Sequence, residues 1–211
     1  IYFPPLTPLS NVKLHSHAKI GYIVNQELVN ISHAIKANPA DDKINVLLMN
    51  NGTNSMLNSI SDLVLKMPKI DNVFYHLRNN SLTEKAHYHA LCRNDIVFVE
   101  ELHEIHLLIA SSDIVVARGG YNSISELAVL GKPSIIVDEA RNPEIQSNLL
   151  LACNQYKNIN PSGRDNIMDN LLTLIEKTKI STNSDYTPIL ATGCLDISNH
   201  IIDFLSNIPN L

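Results

Sequence analysis

From Lys19 to Val137 the chain alternates short apolar runs with longer amphipathic ones. The short runs are KIGYIV (19–24), INVLLM (44–49), NVFYHL (72–77), DIVFV (95–99), DIVVA (113–117) and PSIIV (133–137). Several are apolar at consecutive positions, as a strand covered by helices on both faces requires. Between them, apolar residues recur at helical spacing over about 27–37, 55–67, 83–91, 103–111, 122–130 and 143–154. Two further helices are predicted near the end. One spans 166–179, with Ile167, Leu171, Leu174 and Ile175 on one face; the other spans 196–207, with Ile197, Ile201, Phe204 and Leu205. Such alternation predicts an α/β protein: a Rossmann-like, doubly wound parallel sheet of about six strands joined by right-handed crossovers.

Composition narrows the function more than the fold. The chain has 211 residues, 45% hydrophobic and 18% charged, with a net charge of −5. That balance suits a globular domain and gives no basic surface for nucleic acid or an anionic membrane. Cys92, Cys153 and Cys194 are far apart and odd in number, which argues against a disulfide framework and for a reducing, cytoplasmic setting. No run of about 18 apolar residues is present, so no span is predicted. The opening IYFPPLTPLSN, with its Pro4-Pro5 pair, reads as linker. Residues 1–18 are therefore expected to be the remnant of an interdomain connection, and 19–211 one binding domain.

In a doubly wound fold ligands gather outside the carboxyl ends of the strands, where loops enter helix N-termini. Four loops occupy that position: NNGTNS (50–55), EELHE (100–104), RGGYNS (118–123) and DEARNPE (138–144). In the first, Gly52 leaves backbone N–H groups open to an anion while Thr53, Asn54 and Ser55 add donors. The same residues also make an ordinary helix start, with Asn54 or Ser55 as N-cap. Neither GxGxxG nor GxxxxGK[ST] occurs. In the third loop Gly119 and Gly120 follow a strand directly and precede a helix expected to start at Ser123. That N-terminus would favour a nearby anion by about 0.3–1 kcal/mol, and a diphosphate suits it. Two readings stand for Glu126. Ser123-Ile-Ser-Glu126 matches a capping box, and a carboxylate there could equally accept both hydroxyls of a ribose. Arg118 could fork onto a phosphate or pair with Glu100 or Glu101, and Tyr121 could stack on a ligand or cover the loop.

Over residues 95–154 the text NDIVFVEELHEIHLLIASSDIVVARGGYNSISELAVLGKPSIIVDEARNPEIQSNLLLA resembles the C-terminal, nucleotide-sugar-binding half of GT-B glycosyltransferases. Within that class it is similar to family 28, the type that adds N-acetylglucosamine to lipid-linked peptidoglycan precursors. The resemblance rests on a valine-rich strand, then R-G-G, S-x-x-E-L and G-K-P in that order. It implies that Gly52, Thr53 and Asn54 lie against the phosphates or the sugar. The backbone around Leu102 and His103 would hold the base edge. Gly119, Gly120 and the helix starting at Ser123 would receive the diphosphate, and Glu126 the ribose; Arg118, Tyr121 and Asn122 are counted with them as nucleotide-sugar-binding candidates. Gln146 and Asn148 would reach the transferred sugar, although the family spaces this pair Q-x-x-N and the chain has QSN. It further implies a UDP-like donor, no metal cofactor, and an acceptor held by a separate N-terminal half. Any membrane contact would belong to that half.

Other chemistry has less support. His15/His17, His87/His89 and His103/His106 are close pairs, yet no HExxH and no accompanying carboxylate set mark a metal site. No GxSxG elbow supports a hydrolase triad. Two alternatives to the transferase remain: a nucleotide-sugar 2-epimerase or hydrolase on the same architecture, and a non-catalytic nucleotide-binding module. The epimerase type usually carries D-S-G-G where this chain has R-G-G.

Overall fold

The structure, a computed structural model, describes residues 30, 42–50, 53–78, 82–99, 105–138, 157–180 and 198. Among the described residues six strands form one sheet: β1 (Ile44–Leu48), β2 (Val73–Arg78), β3 (Ile96–Val99), β4 (Ile114–Arg118), β5 (Ser134–Val137) and β6 (Ile159–Ser162). All five pairings are parallel, and the order is β3-β2-β1-β4-β5-β6. The helices are α1 (Asn54–Lys66), α2 (Glu84–Leu91), α3 (Ile105–Ser111), α4 (Tyr121–Leu130) and α5 (Ile167–Ile180). The expected class, a doubly wound parallel sheet, is the one observed. The segments 19–24, 27–37, 143–154 and 196–207, and the linker assigned to 1–18, fall wholly or almost wholly outside the described residues.

Period-two alternation along the strands builds two cores from consecutive apolar residues. Ile44, Val46, Leu48, Ile114, Val116, Ile135 and Val137 face α1, α2 and α5, where Met56, Ile60, Val64, Ala86, Leu171 and Ile175 meet them. Leu47, Val115, Ala117 and Ile136 face the opposite way, onto Ile109 of α3 and Ile124, Leu127 and Ala128 of α4. The result is a three-layer sandwich, which explains why β4 and β5 read as unbroken apolar runs in the sequence.

The strand β6 was not legible, because its sequence INPS is polar and contains proline. It survives at the sheet edge. Ser134 N–H donates to the Asn158 carbonyl at 2.8 Å, and Asp138 N–H donates to that of Ser162 at 2.9 Å. Even-numbered residues thus face β5, and the nitrogen of Pro161 points to the open edge, where no donor is needed. Asn160 adds a side-chain bond to the Ser134 carbonyl at 3.1 Å.

The lower edge of the sheet is pinned by polar bridges. Asp113 accepts from Asn45 N–H at 2.8 Å, and its own N–H donates to the Asn45 carbonyl at 2.8 Å. Lys132 Nζ donates to the Ser112 carbonyl at 2.8 Å, and burial holds its pKa below the ordinary lysine value. Asn158 Nδ2 donates to the carbonyls of Leu127 and Lys132. The G-K-P motif is therefore a helix stop and a strand anchor. Gly131 ends α4 at φ 61°, with its N–H on Ala128 O and that of Lys132 on Leu127 O, a Schellman arrangement.

Arg93 ties β3 to the end of α1. Its guanidinium bonds both Asp95 oxygens, at 2.9 and 2.5 Å, and the carbonyl of Met67 at 2.6 Å. The Arg93 hydrogen bonds hold the Asp95 carboxyl below its usual range.

Two stability outcomes are expected. Gly131→Ala forces a side chain into the left-handed region and should cost about 1–2 kcal/mol in denaturant unfolding. The folded pKa of Asp95 is depressed, so its contribution is present above its unfolded pKa and is lost as pH falls through the folded one. Asp95→Asn, which leaves Arg93 half-buried and badly paired, should cost about 3 kcal/mol at pH 7 and flatten the acid limb of thermal stability below about pH 4.

Candidate functional site

The strand order reverses direction between β1 and β4, which pair directly through Val46↔Ile114, Leu47↔Val115 and Leu48↔Val116. The loops leaving these two strands diverge to opposite faces, β1 feeding α1 and β4 feeding α4. This is the crevice in which doubly wound sheets bind ligands. The NNGTNS and RGGYNS loops flank it, so the topology brings together the two segments singled out in the sequence.

At the first loop, Thr53 is the N-cap of α1, and its hydroxyl accepts from Met56 N–H at 3.2 Å. This corrects the expectation of Asn54 or Ser55 as cap. Asn54 is instead the first helical residue and is exposed. Ser55 accepts from Arg164, which reaches over from the turn after β6. Gly52 lies outside the described residues, as do Leu102, His103, Gln146 and Asn148, so the base and sugar assignments have no geometry here.

At the second loop, Arg118 is the last residue of β4, and Gly120 N–H turns back onto its carbonyl at 2.9 Å. The helix begins at Tyr121, two residues earlier than expected. Gly120 is its N-cap, and Ile124 N–H makes the first intrahelical bond, to the Gly120 carbonyl at 3.0 Å. Ile124, in the first turn, is fully buried in the core. Ser123 therefore lies inside the helix and is not its cap, which removes the capping-box reading of Glu126.

Among the described residues no side chain caps this helix, and its first turn holds no acidic residue. The N–H groups of Tyr121, Asn122 and Ser123 come before the first intrahelical bond, and Asn122 is exposed. Gly120 has φ −73° and ψ 151°, which any residue can adopt. A Cβ built there would meet no atom within 4 Å. Neither backbone conformation nor packing demands glycine at this position. What glycine leaves is open space over the start of a helix.

Glu126 is held apart from that turn, on the side of α4 facing α3. Its Oε1 lies 3.9 Å from His106 Nε2, with the two side chains 19% and 23% exposed. Burial raises the Glu126 pKa above its ordinary value, and the His106 charge opposes the rise. His106 was read in the sequence only as half of a histidine pair. Its partner is 20 positions away in the chain and belongs to another helix, so spacing could not reveal it. Asp138, one residue beyond β5, was also missed; its Oδ1 is buried with no hydrogen-bond partner among the described residues. Among those residues no group of three or more His, Cys, Asp or Glu side chains is placed to hold a metal ion.

The C-terminal domain profile of glycosyltransferase family 28 matches residues 52–159, a stretch that runs from the first glycine loop through both helix N-termini to the start of β6. The chain belongs to the glycosyltransferase family 28 C-terminal domain family. A UDP-N-acetylglucosamine–N-acetylmuramyl-(pentapeptide) pyrophosphoryl-undecaprenol N-acetylglucosamine transferase of Shewanella frigidimarina is 32% identical over 124 residues, covering 56% of this chain and 34% of that protein. The enzyme of the same name from Shewanella halifaxensis is 29% identical over 125 residues, with the same coverage. The chain thus spans about a third of the length of these relatives. Among solved structures, Acinetobacter baumannii MurG superposes with a TM-score of 0.58 at 11% identity, over 92% of this chain and 58% of that one, a likeness of fold. Among the described residues no helix is long and apolar enough to cross a membrane.

Because the open helix start is not a folding requirement, Gly120→Asp should stabilise the chain. Its carboxylate would cap α4 and oppose the helix dipole, raising unfolding free energy by about 0.5 kcal/mol in chemical denaturation.

Proposed function

We propose that this chain is the donor-binding domain of a glycosyltransferase, transferring an N-acetylhexosamine from a uridine diphosphate carrier to an acceptor held by a separate N-terminal half. The observation that carries the reading is the uncapped start of α4 beside Gly120, where a Cβ would meet open space, at the switch point of the sheet. The names of the 32% and 29% identical relatives support the uridine nucleotide and the N-acetylated sugar.

In this reading the diphosphate lies across the N-terminus of α4, against Gly119, Gly120, Tyr121, Asn122 and Ser123, with Arg118 at the strand end. As the glycosidic bond breaks, negative charge grows on the departing phosphate. Backbone donors already aimed at that position stabilise the charge without reorganising, so the arrangement needs no metal. Binding energy spent on charge that develops late in the reaction raises the rate itself. Glu126 accepts the two ribose hydroxyls, and the backbone at Leu102 and His103 takes the base edge. Gly52, Thr53 and Asn54 approach the phosphates or sugar from α1, while Gln146 and Asn148 complete the sugar pocket. Residues 1–18 act as the connection to the acceptor half, and 19–211 as the donor domain. The acceptor hydroxyl, its general base and any membrane contact belong to the other half, on the cytoplasmic side.

Calorimetric titration of the chain with UDP, GDP, CDP and dTDP tests this. UDP is expected to bind most tightly, and Gly120→Asp should weaken it at least about tenfold by placing a like charge against the diphosphate. If none of the four binds, the domain is an interaction module and the proposal fails. If UDP binds, but the chain joined to its N-terminal half cleaves UDP-N-acetylglucosamine equally fast with and without acceptor, the hydrolase or epimerase reading replaces it.

A further inference from the structure

Glu126 is a carboxylate that the fold does not use as a cap. It sits on α4 with its neighbours Ile124, Leu127 and Ala128 turned into the core, so the helix fixes its direction toward α3. There it faces His106, in the first turn of a helix that directly follows the loop given to the base. Ile105 and Leu108 pack against the same apolar cluster as α4, which fixes where His106 can reach. A half-buried carboxylate with one neighbour on the protein side and partial exposure on the other keeps lone pairs to spare.

We infer that His106 is a positioning residue: it holds one oxygen of Glu126 so that the remaining acceptor sites face a vicinal diol, the 2′- and 3′-hydroxyls of a ribose. The inference rests on the donor-site reading above and adds to it the device that aims the carboxylate. At 3.9 Å the pair is longer than a hydrogen bond and too close for a bridging water, so a small rotation of either side chain closes it. Contacts of this kind tighten when ligand arrives and the carboxylate is withdrawn from water. A histidine suits the task because Nε2–H can donate to a carboxylate in the neutral and the protonated ring alike. Burial disfavours the ionised carboxylate that must accept two hydroxyls, and the His106 charge offsets that tendency.

A plain inter-helix ion pair would predict something different. Two partly exposed side chains add little to folding, and their loss would affect every ligand alike. A positioning role is specific to the sugar. The ratio of affinities for UDP and 2′,3′-dideoxy-UDP isolates it, since the two ligands share base and diphosphate and differ only in the diol.

The test is titration of the chain and three variants with both nucleotides, alongside thermal unfolding. The parent chain should prefer UDP, and Glu126→Gln should remove most of the preference. His106→Ala should lower the UDP affinity about tenfold, leave 2′,3′-dideoxy-UDP nearly unchanged and scarcely move Tm. His106→Gln, which keeps a donor at similar reach, should restore much of the preference. If Glu126→Gln leaves the ratio unchanged, the ribose assignment falls and this inference with it. If Glu126→Gln abolishes the ratio while His106→Ala keeps the parent value, the inference alone is overturned. Equal losses for both nucleotides in His106→Ala would assign the pair to helix packing and overturn it as well.

Discussion

Parallel pairing of β1 with β4 is the constraint on which the rest of the molecule depends. The chain builds outward from β1 through β2 to β3, then returns across the sheet by α3 to lay β4 on the other side of β1. Right-handed crossovers then force α1 and α2 onto one face and α3 and α4 onto the other. The loops after β1 and β4 part company at their shared boundary and leave a crevice between two helix starts. Nothing in either loop alone makes that crevice. It exists because Val46, Leu47 and Leu48 hold register with Ile114, Val115 and Val116.

The two edges of the sheet are built for different purposes. At the lower edge, side-chain bridges from Asp113, Lys132 and Asn158 close the strand and helix ends, and Gly131 is glycine because its φ is 61°. At the upper edge Gly120 has an extended backbone and open surroundings, and among the described residues no side chain caps the helix it starts. One glycine answers to conformation; the other does not, and neither does packing require it. The distinction places G-K-P among the motif residues that hold the fold and Gly120 of R-G-G outside them.

Local pattern and observed structure part company at three elements. The S-x-x-E pattern is a sound local signal for a capping box, but α4 starts at Tyr121 with Gly120 as its N-cap, which puts Ser123 inside the helix. The strand β6 was invisible because polarity and Pro161 count against a strand, until its place at the edge shows that no donor is lost. Thr53 took the cap expected of Asn54 or Ser55, a shift of one or two residues that local preference does not resolve, since all three types cap well.

The sequence by itself determined the class of fold, because β-branched runs and helical spacing are written in neighbouring residues and their alternation admits few architectures. It also marked the loops where a ligand could approach a helix start. The tertiary structure decided the order of the strands, which loops share a crevice, which glycine is open, and that His106 meets Glu126. These features rest on pairs far apart in the chain, from 19 positions for Val115 and Ser134, through 20 for His106 and Glu126, to 109 for Ser55 and Arg164. Distances of that kind are fixed by the packing of helices on a sheet, and no local pattern in the chain encodes them.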